Sequence, residues 1–182
     1  MPGSTDKAPN EFSRILTPDR QGAPAVTESL EASPKERAAV ARRLDILAVD
    51  RLVAELTVRS LGDRLLRVEG RWEASVQQAC VVTLAPVAAD LNGWLEASYD
   101  IAEGDAGRGG SEVVVDPEAG DPAEVLPAGG LDLGELVVQE LALALDPYPR
   151  APGAEVPAEY RPPEVEGASG PFAALKALKD DK

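Results

Sequence analysis

The sequence predicts an α+β fold: a mostly antiparallel sheet, or a partly closed barrel, of five or more strands, with two main helices packed on it and a flexible Pro-rich C-terminal tail. Three observations predict it: long stretches of period-two alternation, two helix starts with strong capping signals, and a proline-dense stretch after the second helix. We expect residues 1–10 to form a disordered leader, 11–146 a single domain and 147–182 a tail.

The first elements are a short strand and a helix. Residues 11–16 alternate polar with apolar side chains, which is typical of an edge strand. Ser33, Pro34 and Glu36 together form a helix-start signal, so the helix should begin at residue 34. The expected apolar stripe of this helix is Val40, Leu44 and Leu47.

A long hairpin should follow, because the apolar period changes from that of a helix to two. Residues 52–59 and 66–76 each place apolar side chains on one face and polar ones on the other, and residues 60–63 offer a turn between them. The expected inward-facing residues are Leu52, Ala54, Leu56, Val58, Leu66, Val68, Gly70, Trp72, Ala74 and Val76.

Two further strands are expected beyond the hairpin. Residues 80–87 are apolar without alternation, which indicates a central strand covered on both faces and ended by Pro86. Residues 94–101 alternate again, and 112–115 could pair with them. With only 4% aromatic residues, the large core anchors should be Trp72, Trp94, Tyr99 and Phe172.

The second helix is predicted from Asp132 as its N-cap and Glu135 at its third position, and it should end before Pro147. Residues 147–170 form a proline-rich, poorly packed linker, and residues 171–179 form a short terminal helix. The expected stripe of the second helix is Leu133, Leu136, Val137, Leu141 and Leu145.

The composition argues against an enzyme. The chain has no histidine, so no Ser-His-Asp or Cys-His pair exists, and no other catalytic arrangement is recognisable. The single cysteine, Cys80, lies in an apolar stretch and is expected to be a buried structural residue whose pKa is not lowered. We also find no transmembrane or secretory segment, which predicts a cytoplasmic protein that does not bind membranes.

Two loops resemble ligand sites only superficially. Residues 104–110 are glycine-rich but lack the helix start and lysine of a P-loop, so a flexible hairpin loop is favoured. Residues 116–124 are acidic, but their spacing does not match an EF-hand, so a solvated loop is favoured over a metal site. No catalytic residue, cofactor or metal ligand is predicted.

The charge is divided unevenly along the chain. Residues 1–80 hold 12 basic and 12 acidic side chains, whereas residues 81–182 hold 6 and 20. The acidic half should repel nucleic-acid backbones, DNA included, and attract basic partners. Residues 35–71 nevertheless hold 9 basic and 6 acidic side chains, so they form either a basic face for RNA phosphates or an ordinary mixed-charge surface.

Two groups of residues are candidates for binding a partner. One is the arginines of the first helix, and the other is the apolar stripe of the terminal helix, which could dock on a partner or fold back onto its own sheet. The candidate residues are Arg37, Arg42, Arg43, Phe172, Leu175 and Leu178.

Three stretches, residues 36–44, 78–87 and 132–149, together with the Pro171–Lys179 segment, resemble the YceD family of bacterial and plastid proteins linked to accumulation of large-subunit ribosomal RNA. The similarity runs from about Phe12 to Lys179 and is most specific in the Asp-Leu-Gly-Glu-Leu start at Asp132. Some relatives carry further cysteines that suggest metal binding. Their counterparts are absent here, so the resemblance does not imply zinc.

The resemblance implies a non-enzymatic, cytoplasmic factor in large ribosomal subunit biogenesis that supports accumulation of 23S ribosomal RNA. Combined with the charge distribution, it favours binding of a basic ribosomal or rRNA-processing protein by the acidic half. The alternative partner is 23S rRNA or its precursor, bound directly by the basic face of residues 35–71.

Overall fold

The computed structural model describes residues 10–17, 25–62, 65–101, 123–127 and 129–160. The chain divides into two compact units, Met1–Ala151 and Pro152–Lys182. In the second unit the described residues are 152–160, which include one 3₁₀ turn at Ala158–Tyr160.

The described part of the first unit contains two sheets and two helices. In chain order the elements are β1 (Ile15–Leu16), β2 (Val26–Glu31), α1 (Pro34–Arg43), β3 (Ala48–Leu61), β4 (Leu65–Ala79), β5 (Pro86–Asp100), β6 (Glu124–Val125), β7 (Leu131–Asp132) and α2 (Leu133–Ala144). The main sheet has the order β2-β3-β4-β5-β6 and is antiparallel except for the parallel β5–β6 pair, while β1 and β7 form a separate antiparallel pair. The predicted α+β class and the open, mostly antiparallel sheet are confirmed.

The predicted hairpin is the centre of this sheet. β3 and β4 pair from Ala48–Gln77 to Leu61–Leu65, with a register shift between Val49 and Arg51. The side chains expected to face inward are buried along both strands, because only one face of the sheet is covered and period-two alternation then specifies the register. The inner face of the sheet and the two helices share one hydrophobic core.

α1 begins where predicted. Ser33 and Glu36 form a complete capping box, and Pro34 occupies the first helical turn. The helix ends at Arg43, however, and Asp45 has a positive φ of 52°. The expectation that Leu47 continues the apolar stripe is therefore wrong, since Leu47 is 53% exposed and its amide bonds to the carbonyl of Gln77.

α2 also begins as predicted, with the Asp132 carboxylate accepting a hydrogen bond from the Glu135 amide. Its buried face includes Leu133, Val137 and Leu141, as expected, and also Val138. The first turn of α2 lies close to the N-terminal segment, because a Cβ at Gly134 would clash with the Phe12 carbonyl oxygen. Phe12 itself is fully buried, so this segment is part of the core.

The strand predicted over residues 80–87 is wrong. Residues 80–85 form a turn, and Pro86 starts β5 instead of ending a strand. A proline can open a strand when its missing N–H faces away from the ladder. The edge strand expected over residues 11–16 is likewise reduced to Ile15–Leu16. Before residue 15 the segment is held by side-chain hydrogen bonds from Asn10 and Ser13 to Asp132 instead of by backbone pairing.

Several predictions lie outside the described residues: the leader over 1–9, the glycine-rich loop 104–110, the strand over 112–115, most of the acidic loop 116–124 and the terminal helix 171–179. Within the described ranges, no helix is long and apolar enough to cross a membrane.

Candidate partner-binding surfaces

Arg43 fixes α1 to α2. Its guanidinium donates two hydrogen bonds to Glu135, at 2.6 and 2.7 Å, and a third to Glu11 at 3.2 Å. The Glu135 bonds raise the pKa of Arg43 and, in return, lower the pKa of Glu135. Although its side chain is 34% exposed, these charge-assisted bonds give Arg43 a structural role in holding α1 against α2.

Arg37 and Arg42 lie on the other side of α1, where they line a groove of about 310 Å³ between the helix and the start of β3. Arg37 donates to the carbonyl of Ala32 at 2.8 Å. Arg42 is exposed and forms no ion pair with any residue that the structure describes. Among the described residues, Arg42 is the one of the three predicted arginines whose side chain has no partner, and Asp50 lines the same groove.

The arginines that β3 and β4 contribute to the predicted basic face form ion pairs with glutamates on the outer face of the sheet. Each arginine of β3 and β4 lies within ion-pair distance of a glutamate on its own or a neighbouring strand. The pairs are Arg51–Glu73 at 2.6 Å, Arg59–Glu69, Arg67–Glu96 at 2.6 Å and Arg71–Glu55 at 2.9 Å. These four arginines therefore contribute little unpaired positive charge to the outer face of the sheet.

The same outer face carries an exposed aromatic ring. Trp94 of β5 faces Arg71 of β4 in the register and is 62% exposed. The expectation that Trp94 is a core anchor is wrong. The sequence contained the necessary signal, because the alternation over residues 94–101 places Leu95, Ala97 and Tyr99 on one face and Trp94 on the opposite one.

Asp132 connects the N-terminal segment to α2. Its carboxylate accepts hydrogen bonds from the Asn10 amide at 2.8 Å, the Ser13 hydroxyl at 2.7 Å and the Arg14 backbone N–H at 2.8 Å, in addition to its N-cap bond. Burial raises the pKa of Asp132, but the hydrogen bonds from Arg14, Ser13 and Asn10 outweigh it and leave the pKa lowered. The sequence predicted the cap, but not these long-range partners.

Arg14 extends this connection to α1. Its guanidinium bonds to both carboxylate oxygens of Glu36, at 2.7 and 3.2 Å, and lies 4.8 Å from the centre of the Phe12 ring. The hydrogen bonds from Arg14 lower the pKa of Glu36 to about 2. These charged groups are structural, and they join both helix starts to one segment.

The turn at residues 80–85 holds the thiol of Cys80. Backbone N–H groups of Ala151, Val82 and Thr83 point at its sulfur, at 3.3, 3.4 and 3.5 Å. The hydrogen bond from Ala151, followed by that from the Thr83 side chain, lowers the pKa of Cys80 to about 6. The expectation of an unshifted thiol is therefore wrong, because an apolar sequence context does not show where backbone amides point. The thiol is buried, as expected.

The segment after α2 packs against this turn. The amide of Val81 donates to the carbonyl of Pro149, which is buried. Residues 147–151 thus belong to the packed first unit. Across the described ranges there is no cluster of three or more residues suited to hold a metal ion. The predicted partner-binding residues Phe172, Leu175 and Leu178 lie outside the described residues.

Comparison with known proteins decides the family. The family model described as large ribosomal RNA subunit accumulation protein YceD matches residues 68–179, more than half of the chain. The chain belongs to the YceD family. No curated protein and no solved structure matches it. Membership of the YceD family carries a general role in large ribosomal RNA subunit accumulation.

The YceD match covers two of the three resembling stretches, 78–87 and 132–149, and excludes the α1 stretch 36–44. It contains nearly all of β4, all of β5 and α2, and the Cys80 turn. Within the matched residues there are 20 acidic and 6 basic side chains. The part of this YceD protein that defines its family is therefore strongly acidic, whereas the α1 arginines lie outside it.

Proposed function

We propose that this protein is a non-enzymatic, cytoplasmic factor that supports accumulation of 23S ribosomal RNA by binding a basic ribosomal or rRNA-processing protein. The observation that carries the proposal is that most of the described arginines of the predicted basic face are already paired with glutamates. Those of β3 and β4 and Arg43 of α1 form ion pairs with glutamates of the same chain, while the family-matched region carries a large acidic surplus. Such a surface attracts a basic protein and repels phosphates.

The net charge of -14 gives this proposal a physical consequence. Opposite net charges accelerate the encounter of two proteins, and the acceleration weakens as salt screens the charges. Ribosomal RNA itself is a polyanion, so a direct complex would have to overcome repulsion from most of this surface. A basic protein partner avoids that cost.

The non-enzymatic part of the proposal rests on the chemistry of the side chains. The chain has no histidine to act as a proton shuttle near neutral pH. Its only thiol has a lowered pKa, but the sulfur is buried beneath the 80–85 turn. A buried thiolate held by backbone amides is suited to stabilising a turn more than to attacking a substrate.

The test is affinity purification of the tagged full chain from gentle lysates, with and without ribonuclease. We expect basic ribosomal or rRNA-processing proteins to remain bound after ribonuclease at about 0.1 M salt and to dissociate at about 0.5 M salt, where charge interactions are largely screened. Recovery of no such protein under either condition would refute the proposal. A tag-only purification from the same lysate is the control.

Direct RNA binding is a second candidate, favoured by one observation: Arg42 is exposed beside Arg37 in the α1 groove, without an ion pair among the described residues. A gel shift with a large-subunit rRNA fragment tests it. Arg42→Glu should weaken the shift and Arg42→Lys should preserve it. Equal shifts for the two variants would exclude this surface. Charge reversal at Arg43 is unsuitable, because that residue links the two helices.

A further inference from the structure

Among the residues that the structure describes, one edge of β5 is unpaired along most of its length. Its 15 residues pair with β4 along their whole length, but β6 pairs only with Tyr99 and Asp100 on the other side. Among the described residues, no backbone hydrogen bond reaches this other side of residues 86–97. We call the backbone groups of residues 88–96 on that side the β5 edge. An unpaired edge of this length is a template for another strand.

The hydrogen-bond pattern shows which residues form the β5 edge. The Cys80 amide donates to the Ala85 carbonyl at 2.8 Å, next to the Ala79–Pro86 pair. Because hydrogen-bonded and non-hydrogen-bonded pairs alternate in an antiparallel ladder, odd-numbered residues of β5 bond to β4 and even-numbered residues face away. The even-numbered Asp100 follows this pattern, because its carbonyl accepts a hydrogen bond from the Leu126 amide on the β6 side at 3.0 Å.

The even-numbered residues also direct their side chains to the outer face of the sheet. They include Asp90, Trp94 and Glu96, and β5 contains no lysine or arginine, whereas β3 and β4 each contain two arginines. Asp90 accepts one bond from Ser75, and Glu96 pairs with Arg67, which leaves further acceptor sites on both carboxylates. Two carboxylates flanking an exposed indole suit lysine or arginine side chains.

The inner side of β5 is incompletely covered. Ala89, Leu91 and Ala97 pack against the core but remain only partly buried. A strand added along the β5 edge would place alternate side chains beside these residues, where apolar groups gain burial. A strand bound at the β5 edge should therefore carry basic side chains on the outer face of the sheet and apolar side chains on the inner face, at alternate positions.

We infer that the β5 edge binds an extended, basic segment of the partner protein by strand addition, with lysine or arginine alternating with apolar residues. This inference rests on the proposed function and specifies where and how the basic partner is held. A second copy of this chain is disfavoured, because two copies with a net charge of -14 repel and an antiparallel pairing centred at Gly93 would oppose Asp90 with Glu96.

The test uses the full chain and a fluorescent peptide of about nine residues, the length of a long strand, in which Lys and Val alternate. Fluorescence anisotropy compares it with a Glu–Val peptide of the same length, which should not bind. Asn92→Pro removes an edge N–H without disturbing the bonds to β4, so it should raise the Kd about tenfold or more. Asn92→Ala, which keeps the N–H, should leave the Kd within about twofold.

Amide hydrogen exchange followed by NMR gives an independent readout. In the free protein the amides of Ala88, Asp90, Asn92, Trp94 and Glu96 should exchange fast, and the Lys–Val peptide should protect them. Fast exchange that the peptide leaves unchanged, or an unchanged Kd for Asn92→Pro, overturns the inference. Slow exchange of these amides in the free protein also overturns it. If that protection depends on protein concentration, a second copy of the chain occupies the β5 edge. If it does not, a segment of the same chain occupies it.

Failure here is distinguishable from failure of the proposed function. If ribonuclease-resistant basic proteins are retained equally by the wild type and Asn92→Pro, the basic partner stands and the β5 edge is excluded as its site. If no basic protein is retained by the wild type, the proposed function fails whatever the peptide does.

Discussion

Replacing Asp132 by alanine is expected to destabilise the first unit by about 2–4 kcal/mol. The substitution removes the N-cap of α2, which costs about 1 kcal/mol, and leaves the part-buried Arg14 N–H without its acceptor, which costs about 1–3 kcal/mol. For a unit of this size each kcal/mol lowers the Tm by about 2–4 °C. The Tm should therefore fall by roughly 4–16 °C.

The assay is urea denaturation followed by circular dichroism, with the Tm from a thermal scan as a second measure. Asp146→Ala is the matched control, because its carboxylate accepts only an exposed bond from the Tyr148 amide, and it should change stability by about 0.5 kcal/mol or less. Ser13→Ala supplies a double-mutant cycle, since its hydroxyl donates to Asp132. Its effect should largely vanish in the Asp132→Ala background.

The reasoning fails if Asp132→Ala lies within about 0.5 kcal/mol of the wild type, or if the Ser13→Ala effect is additive. Either result would mean that the segment before β1 does not depend on the Asp132 carboxylate for its place against α2.

Three other changes have defined expectations. Gly93→Ala should cost roughly 1–3 kcal/mol in urea denaturation, because the new Cβ would lie 2.8 Å from the indole of the facing tryptophan, whereas Gly129→Ala, with open space around it, should be neutral. The thiolate absorbance of Cys80 should titrate near pH 6. Because the pKa of the thiol is lower in the folded than in the unfolded protein, its contribution to stability is complete above the unfolded pKa of about 8.5 and is lost as the pH falls through 6. Cys80→Ser should abolish this pH dependence of stability. A titration midpoint above pH 8 would contradict the geometry of the turn. Arg43→Ala should cost about 1 kcal/mol more than Arg42→Ala at low salt, a difference that equal Tm values would disprove.

The strands and their inward-facing residues were predictable where one face of the sheet is buried and the other is exposed to solvent. Along β3 and β4 the apolar side chains recur every second residue, so the sequence specified both strands and their faces. The helix starts were predictable for a different reason: a cap is a local hydrogen bond between residues three positions apart, as at Ser33 and Asp132.

The errors arose where tertiary contacts override local pattern. An apolar run cannot be distinguished from a strand by periodicity alone, so residues 80–85 were mistaken for one, although their polar backbone groups bond within the turn and to residues 149–151. The end of α1 depends on the positive φ of Asp45, which no apolar spacing reveals.

Only part of the candidate surfaces could be predicted from the sequence. Counting charges over residues 35–71 indicated a basic face, but only the structure shows that the arginines of β3 and β4 form ion pairs with glutamates on the same or neighbouring strands. The β5 edge was not predictable, because a free edge is defined by strand order.

The bonds from Asn10 and Ser13 to Asp132 also determine when this fold can be completed. They join residues that are 119 and 122 positions apart, whereas the neighbouring strands β3, β4 and β5 are connected by short turns. At a synthesis rate of about 5–20 residues per second, the N-terminal segment waits roughly 6–24 s for its acceptor to be made. During that interval β3, β4 and β5 can pair while Phe12 remains without its final neighbours. A chain released early would therefore expose the apolar side chains of its N-terminal segment to other proteins.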